Sequence, residues 1–418
     1  MNIPARTRAA AAALARSNPA DANGGAIGSG EAADQCLSVE VASSMSELDG
    51  LRTDYERLNL AAGNRSPFSL FEWHRVWCSH FLNLDPSVQD QLSIVAVRDA
   101  GGDCVAIVPL FKSSRKFGPL HIVSMDLVGA DPSTTEARTP IILAGHESRV
   151  VAALRAWLAG DRRWDWITWG GVDRRFGEVL AAGRGLWLEP VAPGYVLELP
   201  QSWEELKSRL KRNIRESLRH CYNSLKRDQH AFTFEVAMEL PAVHAAVGRF
   251  LALHGLRAKM TGTTEHRDHF SAAVARRFLY DVCDQLAAAR VARIFELRIG
   301  GEVVAARVGF VVGRTLYLYY SGFDPRWARY GVMTTVVAEA IKYAIAEGLT
   351  AVNLSRGTDI SKTRWSPDTV DYIQCLEIRQ RWMSRIAYRS YMSARSGTGL
   401  LSWLLKRLGR TPRSWGTH

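Results

Sequence analysis

Residues 315–355, TLYLYYSGFDPRWARYGVMTTVVAEAIKYAIAEGLTAVNLS, constrain this chain more than any other stretch. An apolar, aromatic strand runs into a polar turn, a long helix starts near Gly331, and a further strand follows. A helix that starts at a strand end leaves its first N–H groups unpaired and aimed at the connecting loop. The helix dipole adds partial positive charge there, so the loop is a candidate seat for an anion such as a pyrophosphate. Arg326 and Arg329 stand just before the helix, and Gly331 permits close backbone approach. A single glycine serves an ordinary helix start equally well.

This stretch belongs to an order of elements that occurs twice. A length of 418 residues suits two domains of roughly 150–200 residues. The first half reads as strand CLSVEVAS, two helices, a run of strands with a hairpin turn at RDAGGDC, helix ESRVVAALRAWLAG and further strands. The second half begins with the basic amphipathic segment SWEELKSRLKRNIRESLRHCYNSLKRD, read as one long helix, then a strand and two helices. Three strands follow, turning at Gly300-Gly301 and at Gly313-Arg314, before the strand–loop–helix. The class is α+β, with a mostly antiparallel meander in each half. The expected division is a disordered leader over 1–35, domains over 36–200 and 201–380, and a basic amphipathic tail over 381–418.

Composition narrows the functional classes. At 47% hydrophobic and 23% charged the chain is globular, and no apolar run reaches the roughly 18–20 residues of a membrane span. Six scattered cysteines show no CxxC and no His partners at metal spacing, so neither a disulfide framework nor a metal site is expected. Reduced thiols suit the cytoplasm. The net charge is +11, and residues 376–418 hold nine Lys/Arg against Glu377 alone. The excess is a tail rather than a basic body, and no specific nucleic-acid partner is expected. Within that tail Ile378, Trp382, Ile386 and Arg389 recur at helical spacing, and GLLSWLLKRLGR is apolar then basic. Such a face suits the inner surface of the cytoplasmic membrane, worth about 1 kcal/mol per basic residue, or the protein's own surface.

YSGFDPRWARYG, the Ala-rich helix and VNLSRGTDISKTRW together resemble the C-terminal signature of the CelD/BcsL-type GNAT acyltransferases, relatives of the FemAB transferases. The shared positions are Phe323, Asp324, Pro325, Gly331, Gly357, Lys362 and Trp365. SWEELKSRLKRNIRESLRH, FLALHGLRAKMTG, SPFSLFEWHRVW and AIVPLF extend the resemblance over about residues 40–380. It implies tandem GNAT-like domains, each a mixed, mostly antiparallel sheet flanked by helices, the first a degenerate partner that shapes the acceptor cleft. It further implies an acyl-CoA donor, acetyl first among them. The acceptor would be an amine or hydroxyl of a cell-surface polysaccharide precursor or sugar-linked lipid. Family members carry a second small residue before the helix, where this chain has Met333.

Within that frame Arg326, Arg329, Tyr330, Gly331 and Val332 are the donor-binding candidates. Asp324 is a candidate general base, or an Asx-turn residue holding the Asp-Pro turn. Arg356, Lys362 and Trp365 lie on a mixed polar loop suited to an anionic acceptor group, or are solvated loop residues. His254 and Arg257 sit in a Leu-His-x-x-Arg segment of acceptor-side character, although a histidine on an apolar helix face is also a common core residue. Tyr319 and Tyr320 alternate on a strand, so one belongs to the core and the other is a candidate general acid for a leaving thiolate, with Tyr320 the catalytic candidate. Two other functions stay open. One is a Fem-like transferase using aminoacyl-tRNA, suggested by the eight Lys/Arg of Lys207–Arg227. The other is a non-enzymatic regulatory or assembly protein of polysaccharide export.

Overall fold

The computed structural model describes residues 37–117, 120–131, 133–161, 163–260 and 266–395. The leader over 1–35 and the tail beyond 395 lie outside the described residues. Strands β1 (Ser38–Ala42), β2 (Val88–Arg98), β3 (Cys104–Phe117), β4 (Leu120–Leu127), β5 (Ile141–Ile142), β6 (Trp166–Asp173) and β7 (Glu189–Pro190) belong to one sheet. The second sheet holds β8 (Gly194–Glu198), β9 (Phe232–Ala237), β10 (Ala292–Ile299), β11 (Glu302–Val312), β12 (Thr315–Phe323), β13 (Ala351–Arg356) and β14 (Asp368–Val370). The last strand, β15 (Tyr372–Ile378), returns to the first sheet.

The spatial orders β1-β2-β3-β4-β6-β15 and β9-β10-β11-β12-β13-β8 are the same arrangement twice. In each, three antiparallel pairings precede one parallel pairing, β4 with β6 and β12 with β13, and an antiparallel strand closes the set. The fold is thus the expected α+β tandem of two mostly antiparallel GNAT-like sheets. The closing strands are exchanged: β8 precedes residue 200 but pairs with β13, and β15 follows β14 but pairs with β6. A cut at residue 200 therefore does not separate the sheets.

Helices α1 (Met45–Gly50), α2 (Arg52–Ala61), α3 (Phe71–Phe81), α4 (Glu147–Gly160) and α5 (Arg174–Ala181) accompany the first sheet. Then come α6 (Trp203–Arg209), α7 (Arg212–Arg227), α8 (Leu240–Ala258), α9 (Ala273–Ala288), α10 (Val332–Ala346), α11 (Ile360–Thr363) and α12 (Trp382–Arg395). The basic segment expected as one helix is two. Leu210 turns extended at ψ 144° and is buried beside Leu206 and Ile214, which re-aims α7 along α10. The β10–β11 turn falls on Gly300 and Gly301, both at positive φ as a tight hairpin turn requires.

One apolar core spans both halves: Trp73, Trp77 and Phe81 of α3 pack with Phe278 of α9, Phe250 of α8 and Phe310 of β11. On the opposite face of the second sheet, α7 and α10 cover Phe295, Leu297, Leu316 and Leu318. Helix α8 lies so close to β12 that a Cβ on Gly322 would stand 2.4 Å from the backbone nitrogen of His254. Neither backbone can yield without shifting the helix. Gly322→Ala is therefore expected to lower unfolding free energy by about 1–3 kcal/mol, read from the midpoint of a urea transition.

Candidate active site

The site starts from two tryptophans one helical turn apart. Trp77 donates its indole N–H to Asp131 Oδ2 at 2.8 Å, and Trp73 donates to Thr135 Oγ1 at 3.1 Å. Asp131 also accepts from Ser133 N at 2.9 Å and Thr134 Oγ1 at 2.6 Å, so the loop after β4 is pinned to α3. That loop reaches the second sheet. Its carbonyls at Ser133 and Thr134 accept the phenols of Tyr320 and Tyr319. Glu136 accepts from Tyr317 Oη, from Ser355 Oγ at 2.7 Å and from the Arg356 backbone N–H at 3.2 Å.

Glu136 enters where the second sheet opens. β12 and β13 pair only over Thr315–Tyr317 and Ala351–Asn353; beyond that they diverge. The register of β12 on β11 slips there: Leu318 faces Gly309 and Ser321 faces Arg307, leaving two tyrosines opposite Val308. This bulge breaks the alternation expected for Tyr319 and Tyr320. Both rings turn to the same cavity, their centroids 4.4 Å apart. Burial, reinforced for both by nearby Glu136, holds both phenols well above their usual range and therefore protonated. Ser355 is held at φ 73°, a strained geometry for a non-glycine residue, by the Asn353 side chain and Glu136.

The cavity in front of the bulge has a volume of about 480 Å³ and lies between the loop after β4 and the diverging strands. His254, Arg257, Tyr320, Arg356 and Lys362, all sequence candidates, line it together. Glu136, Arg138, His269 and Arg307 also line it, and sequence reasoning did not select them. The only signal for the first two was the polar run STTEAR between apolar strands. Gly170 and Gly171 of β6 make room for this cluster: a Cβ on them would stand 3.0 Å from Arg138 Nη1 and 3.2 Å from Arg356 Nη1.

Several expectations need correction. Asp324 does not line the cavity. It caps the 3-10 turn Pro325–Tyr330 and accepts from Arg326 N, Nε and Nη2 at 2.9, 2.8 and 2.6 Å. Arg326 thereby holds the carboxyl below its usual range, which suits the Asx-turn role and not a general base. Trp365 is buried in the core under α7 and α10 and is not a cavity residue. His254 donates from Nδ1 to Ser321 O at 3.0 Å and accepts at Nε2 from His269 N at 3.4 Å. Both nitrogens are thus engaged, which ties His254 to the end of β12 and to His269 and leaves neither free to take a proton from a substrate.

The donor-binding candidates are committed elsewhere. Gly331 is left-handed at φ 63°, but the space its missing Cβ leaves is taken by Cys221 Sγ of α7, 2.6 Å away. Tyr330 and Val332 are core residues, Arg326 is bound to Asp324, and Arg329 Nη2 donates to Tyr330 Oη at 2.6 Å. Arg364 Nη2 donates to Thr334 Oγ1 at 2.6 Å beside the same helix start. As the helices are packed, these residues do not fit a diphosphate at the start of α10.

Among the described residues, no group of three His, Cys, Asp or Glu is placed to hold a metal ion, and no helix is long and apolar enough to cross a membrane.

Residues 212–365 match the family model described as an acetyltransferase (GNAT) domain, so this segment carries a GNAT acetyltransferase-like domain. Among solved structures, FemX superposes with a TM-score of 0.54 at 10% identity, covering 79% of this chain and 98% of that one. L-PGS from Bacillus licheniformis gives 0.45 at 12% identity, covering 80% and 94%. A tandem GNAT protein from the clavulanic acid biosynthesis pathway gives 0.43 at 10% identity, covering 82% and 98%. No curated protein matches the chain.

Replacing Glu136 tests the link between the two sheets. Glu136→Ala strands the Tyr317 and Ser355 hydroxyls and is expected to cost roughly 1–3 kcal/mol in a chemical unfolding experiment. Glu136→Gln keeps an acceptor oxygen and is expected to cost less.

Proposed function

We propose that this chain transfers an acyl group to an amine or hydroxyl of a polar acceptor bound in the cavity at the β12 bulge. The carrying observation is the bulge itself. It turns two protonated phenols toward one cavity, and β12 beyond Tyr317 has no partner on its β13 side. Strand N–H groups freed in this way are donors for the oxyanion that forms when a nucleophile adds to an acyl carbonyl. Tyr320, half-buried at the cavity wall, supplies a proton to the departing atom once its O–H turns from the Ser133 carbonyl into the cavity. His269, whose ring lies 4.9 Å from that of Tyr320, removes one from the nucleophile. Its ring lines the cavity, and burial pulls its pKa down to about 4, so the imidazole is neutral at physiological pH.

The match over residues 212–365 and the CelD/BcsL-type motifs favour an acyl-CoA donor and a cell-surface polysaccharide precursor as acceptor. A second reading, an aminoacyl-tRNA donor, is favoured by the closed start of α10, and the FemX-like fold is compatible with it. Incubating the purified chain with acetyl-CoA and a set of amino sugars and polyols, and following thiol release, separates them. Tyr320→Phe and His269→Ala are each expected to lower kcat about 10²–10⁴-fold with little change in acceptor KM. The base form of His269 persists as pH falls until about 4, so the acidic limb of kcat/KM should lie well below that of an ordinary histidine. No thiol release with any acceptor, alongside consumption of aminoacyl-tRNA, assigns the second reading.

We also propose that the reaction takes place against the cytoplasmic face of the membrane. Helix α12 packs buried Ala387 and half-buried Tyr388 against Trp166 and Ile122 of the first sheet, and its buried Ser384 donates to Asp165 Oδ1 at 2.7 Å. Its other face exposes Trp382 at 72%, Met383 and Ile386, flanked by exposed Arg381, Arg385 and Arg389. Apolar side chains ringed by cations suit an anionic lipid surface. The full chain is expected to co-sediment with phosphatidylglycerol vesicles and not with phosphatidylcholine vesicles, and to be released by salt or by Trp382→Ala with Ile386→Ala. Equal recovery with both vesicle types would sink this reading.

A further inference from the structure

The cavity holds more positive charge than the protein neutralises. Arg138, Arg257, Arg307, Arg356 and Lys362 all line it, and among the described residues none of the five forms a salt bridge. Three of the guanidinium groups, on Arg138, Arg257 and Arg307, each keep a buried Nε without a hydrogen-bond partner. Such groups cost free energy unless something completes them.

The acids nearby do not complete them. Asp131 is occupied by Trp77 and the loop N–H groups, and Glu136 by Tyr317, Ser355 and the Arg356 backbone. Asp359, the third acid of the lining, attracts Arg257, Arg307 and Lys362 from a distance but caps α11 through Ser361 N and forms a salt bridge with none of the three. Burial, and after it the charge of Arg257, pull Arg307 down to about 10, which leaves it cationic at neutral pH. Several unpaired cations around about 480 Å³ call for a ligand of more than one negative charge, with oxygens spread widely enough to meet several forks. A carboxylate has two oxygens and one charge; a phosphoryl or diphosphate group has the number and the spread.

We infer that this cavity is a phosphoryl-binding site for the acceptor, in which Arg138, Arg257 and Arg307 grip a phosphate or diphosphate and so place the acceptor's nucleophile at the β12 bulge. The inference rests on the proposed acyl transfer for its orientation, but the binding it asserts stands apart from turnover. The acceptor class that follows is an amino sugar or polyol already phosphorylated. A sugar kinase or nucleotidyl-transfer reaction must therefore supply it.

Calorimetric titration of the full chain with inorganic pyrophosphate tests this. Arg307→Gln and Arg138→Gln are each expected to weaken binding about tenfold or more. Arg326→Gln, at the start of α10, is expected to leave it unchanged. No binding of millimolar pyrophosphate to the wild-type chain, or equal weakening by Arg326→Gln, overturns the site. If a glutamine variant does not fold, the wild-type melting temperature decides, rising with pyrophosphate but not with acetate; no rise overturns it. An amino-sugar 1-phosphate should compete with pyrophosphate. Competition by coenzyme A instead gives the site to the donor and overturns the acceptor assignment. Pyrophosphate binding without acyl transfer to any acceptor removes the proposed reaction and leaves the site in place.

Discussion

The pinning of the loop after β4 to α3 is the interaction on which the site depends. Two indole N–H groups, from Trp73 and Trp77, and the Asp131 carboxylate hold that loop in one conformation. Only then do its carbonyls stand where Tyr319 and Tyr320 donate, and only then does Glu136 enter between β12 and β13. An apolar replacement of either tryptophan could fill the core but would cut one tie to α3, leaving Asp131 or Thr135 hydrogen-bonded only within its own loop. A buried polar network is costly when partly satisfied and rigid when complete. Here its rigidity fixes the mutual placement of the two sheets at their open ends.

The strand exchange works in the same direction. Because β8 closes the second sheet and β15 the first, the chain crosses between the sheets before and after the GNAT-like segment. The halves cannot separate without losing two rows of backbone hydrogen bonds. The core shared by α3, α8 and α9 adds an apolar seam beside the same cavity. A site assembled from both halves thus gains a rigid frame, which a preorganised oxyanion and a fixed set of guanidinium groups both require. The shift of functional weight away from the start of α10 has an equally local cause. Cys221 takes the space beside Gly331, so the helix terminus that would hold a diphosphate is packed against α7.

Much of the architecture was legible in the residues. Gly300-Gly301 and Gly313 mark their hairpin turns because tight turns need positive φ, and the aromatic strand followed by an Ala-rich helix marks β12 and α10. Arg356 and Lys362 stood out as cations on a mixed polar loop and Arg257 by its Leu-His-x-x-Arg segment, and the structure brings the three to one cavity. Three features were not. The split between α6 and α7 has no Gly or Pro to announce it; burial of Leu210 decides it. The choice between base and cap for Asp324, both open in the residues, depends on where the Arg326 guanidinium folds back. The bulge at Tyr319–Tyr320 is a register slip, invisible in a pattern that alternates as an ordinary strand does.

By itself the sequence determined the classes of element, their doubled order and the residue types available for chemistry, because these follow from local periodicity, turn geometry and charge. Tertiary structure alone decided which residues meet. Glu136 and Tyr317 are 181 positions apart, and Arg138 and Arg307 share one cavity only because two sheets exchange strands around it. Periodicity carries no term for contacts at that separation. The meeting of distant polar groups is paid for by the core and is read only once the core has formed.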